Sequence, residues 1–149
     1  MASETCSARL RRMVTDIRWK QRFDNFDRAF ALLREALEGG GASLNQLERE
    51  GTIHRFEYTF ELSWKAMKDY LEAAGVAMPT LTPRAIIEAA LAAGVIREGH
   101  VWTDMLRQRN LLAHTYNLRH SDDALAAIET RYLAEMAQLH AWLAGKLQE

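Results

Sequence analysis

Apolar residues in the first third of the chain recur at Trp19, Phe23, Phe26, Phe30, Leu33 and Leu37, in steps of four, three, four, three and four. Only a helix brings such a series onto one side, because successive strand residues alternate faces. A helix this long with an aromatic stripe must bury it against other helices. A second stripe repeats the pattern at Phe56, Phe60, Trp64, Met67 and Leu71, and a third runs through Leu125, Ile128, Tyr132, Met136, Leu139, Leu143 and Leu147.

The helix bounds follow from caps and breakers. The first helix opens at Asp16 and stops at Gly39, Gly40 and Gly41. Ser43 caps a short turn through Leu47, and the second helix runs from Gly51 to Gly75. Thr82 followed by Pro83 is an N-cap with proline at the first helical position, opening a short helix with Ile86, Ile87, Ala90 and Leu91 that ends at Gly94. A fourth helix starts near Gly99 or His100, carries Trp102, Met105, Leu106 and Leu112, and ends near Asn117. Ser121, with Asp122 and Asp123 behind it, opens the last one. The predicted fold is all-α, an antiparallel up-and-down bundle of three long and two shorter helices.

At 149 residues the chain fits one domain. Residues 16–149 are expected to form the bundle, with 1–15 as a flexible N-terminal extension. Eight of the nineteen Lys and Arg residues fall between Arg9 and Arg34, interleaved with Asp24, Asp27, Glu35 and Glu38, as on a solvated helix face. A net charge of −1 demands no nucleic acid. The single cysteine, Cys6, fits a reducing compartment, and no apolar run reaches membrane-spanning length. The expected location is the cytoplasm, without membrane attachment.

No glycine-rich phosphate loop, Cys-x-x-Cys pair or Ser/His/Asp signature occurs, and neither metal nor cofactor is expected. Glu57 and Glu61 stand one turn apart, but a di-metal bundle site needs two Glu-x-x-His pairs and the chain has none. Ion pairs with Lys65, Lys68 or a cation of a neighbouring helix account for both carboxylates. His54, His100, His120 and His140 have no companions at ligand spacing and read as surface or boundary residues.

The segment RQRNLLAHTY, from Arg107 to Tyr116, gathers Arg109, Asn110, His114 and Tyr116 at a helix end. Arginine grips developing negative charge, histidine moves protons near neutral pH, and tyrosine offers a hydroxyl. At about 100° per residue, Arg109 and Tyr116 fall almost on one line, while Arg109 and His114 lie about 140° apart. One helix does not converge Arg and His on one atom, so either it unwinds near His114 or a second protomer supplies half the site. The same residues also suit a helix end whose histidine caps carbonyls and whose arginine meets a glutamate.

RNLLAHTY resembles the R-x4-6-H motif of HEPN-domain proteins in its extended R-x4-H-x-Y form, through Arg109, Asn110, His114 and Tyr116. RFEYTFELSWKAMKDYLE, TPRAIIEAALAAGVI and Trp102 are similar to the branch called nucleotidyltransferase substrate-binding proteins. The resemblance implies a helical homodimer encoded beside a minimal nucleotidyltransferase (MNT), often as toxin and antitoxin. It implies a metal-independent endoribonuclease acting on RNA, with Arg109, Asn110 and His114 catalytic and Tyr116 taking AMP from the partner as the silencing modification. The alternative is a non-catalytic subunit that binds a nucleotide or other substrate for that enzyme.

Overall fold

The computed structural model describes residues 4–114 and 117–149. Within them all regular structure is helical. The first helix, α1 (Cys6–Ala36), begins well ahead of Asp16, because the Thr5 side chain caps it by accepting from the Ala8 N–H at 3.1 Å. Good helix formers from Ala8 to Met13 carry it onward. Trp19, Phe23, Phe26, Phe30 and Leu33 are buried as the stripe predicts, and the chain turns at Gly40, whose φ of 87° suits glycine.

The second helix, α2 (Gln46–Ala73), also starts earlier than expected. Asn45 and Glu48 form a reciprocal capping box, each side chain accepting from the other's N–H at 2.8 Å. That cap outweighs the cost of roughly 1 kcal/mol for Gly51 inside the helix. Ser43, expected as a cap, lies instead in a 3₁₀ turn, where its hydroxyl donates to the Gly40 carbonyl at 2.8 Å.

Arg22 Nε reaches Asp69 Oδ2 at 3.0 Å, and Arg55 Nη1 reaches the Leu32 carbonyl at 2.7 Å, so α1 and α2 pair antiparallel. After the Gly75 turn come α3 (Pro83–Ala92), capped by Thr82 as predicted, and α4 (Gly99–His114). The last rod comprises α5 (Leu118–Ala127), a wider π-helical turn (Ile128–Tyr132) and α6 (Leu133–Leu147). Asn117, not Ser121, caps it, by accepting from the His120 N–H at 2.8 Å. Ser121 lies inside α5, 4% exposed. The rod runs alongside α2 in the same direction: Arg49 meets Asp122, Phe56 stacks on Tyr132, and Tyr70 meets Trp142 edge-on.

Thus α1, α2 and the rod are the long members, α3 and α4 the short ones. Trp102 and Arg109, seven residues apart on α4, both contact Phe60 of α2. A helix running along α2 would have moved two turns away over that distance. Hence α4 crosses α2 and presents its remaining face outward.

Candidate functional site

Three anchors hold α4. Trp102 and Met105 are fully buried, with the Trp102 ring 6.4 Å from that of Phe60. Asp104 is the second anchor: the Tyr132 hydroxyl donates to it at 2.5 Å, Arg131 at 3.2 Å, and Arg107 from the next turn of its own helix. Burial works against the carboxylate's charge, but the Tyr132 hydrogen bond and the Arg107 guanidinium prevail and hold its pKa below the ordinary value. Burial, reinforced by the bond to Asp104, pushes the Tyr132 phenol well above its usual range, so it remains a proton donor. The π-helical turn ends at Tyr132, whose ring stacks on Phe56 at 5.5 Å.

Arg109 is the third anchor. Its Nη1 lies 3.3 Å from Glu61 Oε2, and the guanidinium sits over the Phe60 ring at 5.8 Å. Glu61 also faces Lys65 at 3.4 Å and accepts from the Trp64 indole at 3.1 Å. The ion pairs predicted for Glu61 therefore form, one with its own helix and one with a neighbour. Arg109 Nε is buried and has no partner among the described residues.

Asn110 and His114 take the other side. Both are exposed, and both line an open cavity of about 890 Å³ between the start of α3 and the outer face of α4. Arg84, His100, Thr103, Asp104 and Arg107 supply its polar wall, and Leu106 and Leu111 its apolar one. Arg109 is not among the lining residues. The structure thus joins Asn110 to His114 and separates both from Arg109, as helical offsets of about 100° and 140° require. Tyr116 lies outside the described residues.

The cavity wall is mainly apolar, with a few polar and cationic side chains set into it. Arg84 and two imidazoles face it, while Arg107 is paired with Asp104, whose charge Tyr132 and Arg131 also meet. A guanidinium such as that of Arg84 suits phosphate oxygens, and leucines suit a base or sugar face. No group of three or more His, Cys, Asp or Glu residues at metal-binding geometry occurs among the described residues. Sequence reasoning missed Arg84; His100, expected at the surface, is exposed and lines the cavity. Arg84 stands thirty positions before His114, and only the packing of α3 on α4 brings them together.

Residues 21–144 match the family described as nucleotidyltransferase substrate binding protein like. A crystal structure of a Thermus thermophilus protein is similar, at 31% identity and a TM-score of 0.64, with 83% of this chain covering 99% of that one. No curated protein matches the chain.

Proposed function

The chain belongs to the nucleotidyltransferase substrate binding protein like family, and from that premise we propose that it is the substrate-binding subunit of a two-component nucleotidyltransferase. The substrate occupies the cavity between α3 and α4. The observation carrying this reading is the division of α4: Asn110 and His114 open into a cation-rimmed cavity, whereas Arg109 is held by Glu61 on the far side. A phosphate held by Arg84 would leave the apolar part of the ligand against Leu106 and Leu111. The partner is a nucleotidyltransferase of the minimal, MNT type, working with this subunit in the cytoplasm.

A second reading keeps the ribonuclease. His114 is exposed beside Asn110 on an open surface that RNA can reach, as a general acid or base requires. In this HEPN-type scheme a homodimer assembles the site from two copies of α4, and AMP transferred to Tyr116 silences the toxin. The held position of Arg109 weighs against it, since moving the guanidinium into a composite site breaks both its pair with Glu61 and its contact with Phe60.

Calorimetry with ATP as probe, followed by incubation of the protein with RNA in EDTA, separates the two. Binding of ATP that Arg84→Ala weakens about tenfold, the loss of one charge-assisted contact, with no RNA cleavage, supports the binding subunit. EDTA-resistant cleavage lost in both Arg109→Ala and His114→Ala would establish the nuclease instead.

A further inference from the structure

The side of α6 that meets the connection between α3 and α4 carries two buried oxygens with no hydrogen to accept. Glu135 Oε2 and Gln138 Oε1 are both shut off from solvent, and neither has a hydrogen-bond partner among the described residues. Three positions apart on one helix, they are neighbours on its surface. The Gln138 amide nitrogen donates to the Val95 carbonyl at 3.4 Å, which leaves the oxygen as the free end of the amide. That bond is longer than the usual N–H···O range of about 2.7–3.2 Å and has room to tighten. Two buried acceptors without donors carry an uncompensated desolvation cost. One proton removes it for both: on Glu135 it turns a carboxylate oxygen into a donor, and Gln138 Oε1 accepts from it.

The charges around Glu135 bear on the same step. Glu98, in the connection, opposes its ionisation, whereas His100, in the first turn of α4 and 3.4 Å from Glu98, favours it. Arg131, one turn earlier on the rod, is turned to Asp104 at 3.2 Å. No other charged group among the described residues acts on Glu135. Burial is the largest influence, and with Glu98 it outweighs His100 and pushes the carboxyl above its ordinary value. Val95 and Ile96 are buried and anchor the connection, while Glu98 and His100 beyond them are exposed, and His100 lines the cavity.

We propose that Glu135 is a proton-operated latch: protonated, it donates to Gln138 Oε1, and Gln138 in turn holds the Val95 carbonyl, fastening the connection that leads to His100 at the cavity rim. Donation to the amide oxygen polarises the amide and strengthens its own N–H bond to Val95. Ionised, Glu135 offers Gln138 no hydrogen and repels Glu98, so only the apolar anchors hold the connection. The step moves one proton from solvent to a carboxylate and changes nothing else. It places the firmness of one edge of the cavity under pH control, and it does not depend on which ligand the cavity takes.

Carboxyl-carbon NMR of the full chain should place the Glu135 midpoint above the ordinary 4.5. Gln138→Met keeps a side chain of similar length without the acceptor, and should lower that midpoint by about one pH unit, the loss of one hydrogen bond to the acid form. An unchanged or higher midpoint in Gln138→Met overturns the proposal, because burial alone would then hold the proton. Glu135→Gln supplies an N–H donor at every pH. At neutral pH it should slow amide hydrogen exchange in the connection about fivefold relative to wild type. The difference should close below 4.5, since the stabilisation carried by the protonated acid is complete there and is lost as pH rises through the higher folded pKa. Glu135→Leu removes the charge without offering a donor and should not match that slowing. Equal slowing in Glu135→Leu, or none in Glu135→Gln, refutes the latch.

Discussion

The two faces of α4 each carry an arginine, and their surroundings differ completely. On the inner face Trp102, Met105 and Arg109 meet Phe60 and Glu61, and the only cation is paired, stacked on an aromatic ring and about one quarter exposed. On the outer face Thr103, Arg107, Asn110 and His114 line the cavity. The inner face holds the helix at a fixed crossing of α2; the outer face opens onto the cavity. A short sequence motif that takes residues from both faces is therefore divided between the packed side and the cavity by the helical repeat alone.

The largest effect expected from breaking the inner face is at Trp102. Its side chain is fully buried, and Trp102→Ala leaves a cavity beside Phe60, costing about 3–5 kcal/mol. Denaturant unfolding should record that loss, and ATP affinity should fall with it because α4 no longer holds its crossing. An equally stable variant would mean that Asp104 and Arg109 suffice to seat the helix.

Asp104 joins the two faces and comes next. Asp104→Asn removes the charge that Tyr132, Arg107 and Arg131 all meet, with an expected cost of about 1–3 kcal/mol at neutral pH. The sign with pH is set by the lowered folded-state pKa. The carboxylate's contribution is complete above the ordinary value of 3.8 and is lost as pH falls below it through the folded pKa. The gap in stability between wild type and Asp104→Asn should hold at neutral pH and close in that acid window. A gap that widened there would show that the protonated form is the one stabilised.

Much of this architecture was legible from spacing. The core stripes of α1, α2 and the rod are buried where periodicity places them, because burial of large aromatic and aliphatic side chains dominates the energetics. Helix starts were less legible. Asn45 and Asn117 cap α2 and α5, whereas the sequence placed Ser43 at the head of a short separate turn and Ser121 at the start of the last helix. Which polar residue caps depends on the path of the preceding loop. At the site, the divergence of Arg109 from His114 followed from helical geometry, and a glutamate partner for the arginine was one of two readings of the motif. That the glutamate is Glu61, forty-eight positions away, depends on α4 crossing α2, as does the approach of Arg84 to His114.

The finest test sets Arg109 against His114, neighbours in the motif on opposite faces of one helix. Arg109→Ala removes an ion pair that is about one quarter exposed and an aromatic contact. Solvent screening limits that pair, and Glu61 keeps Lys65, so the expected loss of stability is about 1 kcal/mol. In a double-mutant cycle with Glu61→Gln, part of that loss should appear as coupling, because the two side chains meet directly. His114→Ala removes an exposed side chain and should change stability by less than about 0.5 kcal/mol. Its effect should fall on the cavity instead, as weaker ATP binding measured by calorimetry, because the imidazole lines the wall that receives the ligand. If Arg109→Ala spared the fold and abolished ATP binding while His114→Ala left binding intact, the assignment of the two faces would have to be exchanged.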